Sequence, residues 1–169
     1  MPTNLELKIK IDNRSEVLER VKLIDANYIG ELNQVDIYYK INNGLLKLRL
    51  ENGSQTLIKY IRNETQGDRW SDYQLISLEK NDAKEYFKDI LEIETIIEKQ
   101  RLLYLFNNTR IHIDNVKDLG SFLELETLVV KGKKDAAQRF EEIIGLLSLN
   151  KEDEIRKSYR DLMLEKTGT

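Results

Sequence analysis

Carboxylates and cations recur at a spacing of two in this chain, and that spacing gives them a chemistry. In LELKIKI, Leu5, Leu7, Ile9 and Ile11 fall on one face of an extended strand and Glu6, Lys8 and Lys10 on the other, because side chains alternate across a pleat. FLELET repeats the device, with Glu124 and Glu126 on one face. Same-face neighbours on a strand stand roughly 7 Å apart, so carboxylates on adjacent strands can share one hard cation. Basic residues keep the same rhythm in Lys47 and Arg49, in Lys99 and Arg101, and in Arg110, which shares its face with His112 and Asp114. TLIKYIR is apolar on both faces and leaves Lys59 and Arg62 as alternatives for the cation of its strand.

The elements that must position these groups are legible from the period of the apolar residues. Asp12 to Ala26 reads as an amphipathic helix capped by Asn13 or Ser15. QVDIYYKI, from Gln34 to Ile41, is a strand, Asn42-Asn43-Gly44 a tight turn, and LLKLRLE the return arm of a hairpin that turns again at Asn52-Gly53. Thr56 to Arg62 continues the meander, Asn63 to Asp68 is a loop, and RWSDYQLISL is extended again. Asp82 to Leu91 reads as a second helix, Thr95 to Phe106 as a long strand, Arg110 to Asp114 as another, and Asp135 to Leu147 as a third helix before a polar tail. About eight strands in hairpin order with three helices give an α+β fold, an antiparallel sheet large enough to curl into a closed or nearly closed eight-stranded barrel with the amphipathic helices outside.

With 169 residues and 40% apolar content, the chain is expected to form one domain over residues 1–169. Its 27 basic and 30 acidic residues leave a net charge of -3, so nothing in the total argues for a nucleic-acid or anionic-membrane partner, and neither is expected. The absence of cysteine removes disulfides and thiolate metal sites. No stretch has the apolar core of a signal peptide or of a membrane span, so a cytoplasmic location is expected.

Alternating strands of this kind suit a half-buried sheet with one wet face. The clustering of sign argues for another arrangement: if the sheet curls with its charged face inward, it encloses a channel of Lys and Arg with carboxylates at one side. Such a channel is the electrostatic mould of a polyphosphate and its divalent ion.

Carried by ELK at Glu6 to Lys8, DIYY at Asp36 to Tyr39, LKLR at Leu46 to Arg49, EKQR at Glu98 to Arg101, RIHID at Arg110 to Asp114, LGSFLELE at Leu119 to Glu126 and SYRDLM at Ser158 to Met163, the chain resembles the CYTH superfamily. This group contains class IV adenylate cyclases and thiamine triphosphatases and is also called the triphosphate tunnel metalloenzymes; the resemblance is nearest to its class IV cyclase-like branch. It implies an eight-stranded tunnel and a cofactor that is Mg²⁺ or Mn²⁺. It implies metal ligands at Glu6, Asp114, Glu124 and Glu126, and substrate contacts at Lys8, Lys10, Lys47, Arg49, Lys59 or Arg62, Arg69, Lys99, Arg101 and Arg110. Lys8, Arg49, Arg110 and His112 stand as catalytic candidates, His112 as an acid, a base or a nucleoside contact. Where the family signature reads Glu-x-Glu-x-Lys, this chain has Asn4, Glu6 and Lys8, one charge fewer for metal. The partner implied is a small molecule with a triphosphate chain, and a homodimer is compatible with it. The function expected is hydrolysis of tripolyphosphate or a nucleoside triphosphate; a class IV adenylate cyclase and a polyphosphate-binding module without turnover are the alternatives.

Overall fold

In the computed structural model of the protein, residues 2–62, 67–79 and 81–168 are described, Arg62 by its backbone alone. Eight strands close into a barrel: β1 (Thr3–Lys10), β2 (Asn27–Tyr39), β3 (Leu45–Glu51), β4 (Ser54–Arg62), β5 (Arg69–Leu78), β6 (Ile93–Phe106), β7 (Thr109–Val116) and β8 (Gly120–Leu128). Around the barrel they run β1, β5, β4, β3, β2, β6, β7, β8 and back to β1. Every neighbouring pair is antiparallel. The closed antiparallel barrel and its α+β class are those expected from the alternation.

Tight turns set the register of the hairpins. Asn52 and Gly53 have φ of 46° and 83°, and Asn107 and Asn108 have 45° and 56°, the left-handed pair that a two-residue hairpin loop demands. Of Asn42-Asn43-Gly44, only Gly44 has positive φ, at 76°, and a Cβ there would meet the Tyr60 carbonyl oxygen at 2.7 Å. Any side chain at Gly44 would therefore push β4 away.

Outward residues of β1, β7 and β8, among them Leu5, Leu7, Ile111, Ile113, Leu123 and Leu125, are buried under Val21 of α1 (Arg14–Leu23) and Phe140, Ile143 and Ile144 of α3 (Lys133–Leu146). Each Leu or Ile buried in this way contributes about 1.5–3 kcal/mol. Asn13 caps α1 by accepting from the Glu16 amide at 3.2 Å. On the other side of the barrel, Ile37, Tyr39 and Leu48 pack with Ala83 and Phe87 of α2 (Ala83–Phe87).

Three elements depart from the expectations. The second helix, α2, spans only Ala83–Phe87. β2 begins at Asn27, seven residues before the apolar pattern starts, because its exposed first half pairs with β6 from Asn27 opposite Leu105 onward. A fourth helix, α4 (Tyr159–Thr167), stands where a polar tail was expected; it opens on a capping box of Ser158 and Asp161 and ends at Gly168, whose φ is 74°. Inward residues Tyr38, Ile97, Val116 and Phe122 form an apolar cluster with Tyr159, so α4 fills one end of the barrel. No helix among the described residues is long and apolar enough to cross a membrane.

Candidate active site

The polar parity of the strands lies inside. A cavity of about 300 Å³ is lined by Asn4, Glu6 and Lys8 of β1, Lys47 and Arg49 of β3, Lys99 and Arg101 of β6, Arg110 and His112 of β7, and Glu124 and Glu126 of β8. Register brings the acids and cations together in two rungs: Glu6, Glu126 and Arg110 face one another across β1, β8 and β7, and Lys8, Glu124 and His112 form the next rung.

One half of the site is basic and hangs on one carboxylate. Asp36, with no solvent exposure, accepts from Lys47 Nζ at 2.9 Å, from Lys99 Nζ at 2.8 Å and from Arg49 Nε and Nη2 at 2.8 Å each. Burial alone would raise the Asp36 carboxyl, but Arg49, Lys47 and Lys99 hold it well below the usual carboxylate range. The lysines feel the opposite balance. Burial, then Arg49, bring Lys47 down to about 8, and burial with Arg49 and Arg101 brings Lys99 to about 7 despite the Asp36 contact. Two of the cations thus titrate near neutrality.

The other half is acidic. Ligand atoms of His112, Glu124 and Glu126 lie within 4.8 Å of one another. Glu126 Oε2 accepts from Arg110 Nε at 3.0 Å and lies 3.5 Å from Asn4 Nδ2. At Glu124 burial pushes the carboxyl up, and Lys8 and Arg101 overcome it and hold it well below its ordinary value. Burial also opposes ionisation of Glu126, while His112 and Arg110 pull its pKa down. Both carboxylates are therefore anionic at neutral pH. Burial first, and then Arg101, push the His112 imidazole down to about 4, which keeps the ring neutral. Two clustered anionic carboxylates open to a cavity fit a hard divalent ion, and the same cavity is lined by Asn4, whose Oδ1 is buried with no hydrogen-bond partner among the described residues.

Tyr159 joins the plug to both halves. Its Oη donates to Asp114 Oδ2 at 2.7 Å, and Lys8 Nζ lies 4.2 Å from the centre of its ring. Lys8 Nζ also donates to the Lys157 carbonyl at 2.9 Å.

Several expected site residues stand elsewhere. Asp114 is fully buried, and its two oxygens accept from Arg101 Nε and Nη2 at 2.6 Å each; it lies toward the Tyr159 plug, not among the residues lining the cavity and outside the metal-sized group. Lys59 is exposed on the outer face, since Thr56, Ile58 and Tyr60 take the inward parity of β4. The side chain of Arg62 lies outside the described residues. Arg69 is buried and donates to the carbonyls of Ile155 and Arg156, so it ties β5 to the segment before α4 and does not line the tunnel. Lys10 pairs with Phe122 at the plugged end and is exposed. Glu6 lines the tunnel next to the carboxylate group but is not one of its three members. Asp36 was not among the candidates. An inward acid on DIYY, with the parity of Tyr38, was the available signal.

Residues 2–159 match the CYTH domain family. The chain belongs to the CYTH domain family. It is 28% identical to a Methanocaldococcus jannaschii protein provisionally named an adenylate cyclase, over 94% of this chain and 97% of that one. Its fold is similar to that of a Pyrococcus horikoshii protein, with a TM-score of 0.84 at 20% identity, covering 94% of this chain and 98% of the other. A Hippeastrum protein described as an adenylyl cyclase candidate with a dominant triphosphatase activity has a TM-score of 0.66 at 9% identity, over 100% of this chain and 97% of its own. At such identities these structures speak for a CYTH fold alone.

Proposed function

We propose that this CYTH protein is a divalent-metal-dependent triphosphatase that hydrolyses tripolyphosphate or a nucleoside triphosphate. The observation that carries the reading is the division of one cavity into a cationic wall, Lys8, Lys47, Arg49, Lys99, Arg101 and Arg110, and an anionic pair, Glu124 and Glu126. A polyphosphate needs the first for its oxygens and the second for its ion.

Glu124 and Glu126, with Glu6 beside them, would hold Mg²⁺ or Mn²⁺, which when bound supplies Lewis-acid stabilisation of the reacting phosphoryl group. Lys47, Arg49 and Lys99, oriented by Asp36, would take the oxygens of the chain. Arg110 and Lys8, on the rungs of Glu126 and Glu124, would face the terminal phosphoryl group and stabilise the charge that spreads over it. Water adds to the γ-phosphorus, the bond to the bridging oxygen breaks, and the products are orthophosphate and the shortened diphosphate. The water proton leaves with the phosphate products or to solvent.

Cyclisation of ATP is the second reading, favoured by the apolar side chains of Leu32, Leu75 and Leu103 among the residues lining the cavity, against which a nucleoside could lie. The experiment that decides is a product assay with Mg²⁺ or Mn²⁺, offering tripolyphosphate and ATP in parallel. Orthophosphate from either substrate supports the triphosphatase, cyclic AMP with pyrophosphate makes it a cyclase, and tight binding without product makes it a binding module.

A further inference from the structure

We propose that His112 is itself a metal ligand, giving this chain a mixed nitrogen–oxygen site of His112, Glu124 and Glu126 that prefers Mn²⁺ to Mg²⁺. The inference rests on the reading of the tunnel as a metal-dependent triphosphate site and goes beyond it in naming a nitrogen donor and the ion that donor selects.

The geometry points at the ring. His112 is 4% exposed, and its Nδ1 is buried without a hydrogen-bond partner among the described residues. The nearest carboxylate oxygen, Glu126 Oε1, is 3.9 Å from Nδ1, beyond hydrogen-bond range. Native interiors rarely leave a polar atom in this state, because a buried group without a partner costs about 1–3 kcal/mol. A cation between the ring and the carboxylates would satisfy it.

Separation agrees. Donors around one ion at roughly 2.1 Å stand up to about 4.2 Å apart, and the atoms of His112, Glu124 and Glu126 fall within 4.8 Å of one another, so modest side-chain rotations would close the set. Asn4, which lines the same cavity, has its Oδ1 buried without a partner among the described residues as well, so two buried polar atoms, on opposite flanks of Glu126, lack partners together. Their company with two anionic carboxylates is what a cation asks for.

A nitrogen donor changes the choice of ion. Mg²⁺ takes oxygen ligands in a near-ideal octahedron and sheds water reluctantly, whereas a first-row transition ion accepts imidazole.

The direct test is pulsed electron paramagnetic resonance on the intact protein loaded with one equivalent of Mn²⁺, with parallel Mn²⁺ and Mg²⁺ titrations. Nitrogen hyperfine modulation of the Mn²⁺ signal is expected, lost in His112→Gln, together with at least a tenfold preference for Mn²⁺ over Mg²⁺ that collapses in the variant. Mn²⁺ bound without nitrogen modulation would overturn the inference and leave the carboxylate site standing. Failure of the wild-type protein to bind Mn²⁺ at all would overturn both. Because the decisive spectrum is that of the wild-type protein, misfolding of the variant would not rescue the proposal.

Discussion

Lys99 Nζ sits 2.8 Å from Asp36 Oδ2, although β6 and β2 bring these residues together from 63 positions apart. The same oxygen also receives Lys47 at 2.9 Å, and the other oxygen receives Arg49 Nε at 2.8 Å. One fully buried carboxylate thus spaces three cations that would otherwise repel one another in a closed barrel.

Asp36→Asn should show what that spacing is worth. The amide keeps the shape and loses the charge, which leaves the cations buried without compensation, at a cost of about 3–5 kcal/mol. We expect the apo variant to melt on the order of 10 °C lower, and tripolyphosphate to recover much of the loss by supplying anionic oxygens. Thermal unfolding with and without tripolyphosphate measures both. An equal deficit in both conditions would mean that Asp36 serves only the fold.

Lys99 and Lys47, brought down to about 7 and about 8, impose opposite pH trends on stability and on binding. The unfolded chain holds these protons up to roughly pH 10, so between pH 7 and 10 it binds more protons than the folded state, and apo stability should rise with pH. Anion binding requires the charged forms, so tripolyphosphate affinity should fall over the same window and binding at pH 8 should take up protons. Calorimetry in buffers of different ionisation enthalpy reads the uptake. Affinity flat from pH 7 to 9 would place both lysines outside the phosphate grip.

Tyr159→Phe removes the hydroxyl that donates to Asp114 Oδ2 at 2.7 Å while leaving the ring beneath Lys8. A lost hydrogen bond to a charged group costs about 1.5–3 kcal/mol. Because Arg101 is held by the same carboxylate, tripolyphosphate affinity should fall as well. Loss of stability with affinity intact, measured by denaturant unfolding and titration calorimetry, would limit Tyr159 to plugging the barrel.

The sequence made the strands and their inward face readable where alternation is strict, as at Lys47 and Arg49 or Glu124 and Glu126, since a period of two assigns a face without knowledge of the partner strand. It failed at Lys59 for the matching reason: TLIKYIR is apolar at both parities, and only closure of the barrel decides that Thr56, Ile58 and Tyr60 face inward. Asp114 had the right parity but the wrong depth, because position along the barrel axis depends on the stagger between strands, which brings it against Arg101 and the Tyr159 plug. Asp36 was missed because its role is made by residues of β3 and β6. The capping box at Ser158 and Asp161 was present in the tail and would have marked α4 as a helix.

Metal-dependent turnover in the tunnel is tested most directly by phosphate release from tripolyphosphate with Mn²⁺, compared between the wild-type protein and Glu126→Gln, with circular dichroism to confirm folding of the variant. The wild type should release orthophosphate only when the ion is present, and the variant should bind tripolyphosphate yet lose on the order of a hundredfold or more in rate, as expected when a charge that positions transition-state stabilisation is removed. Release that is equal in the two proteins, or indifferent to the ion, would contradict it.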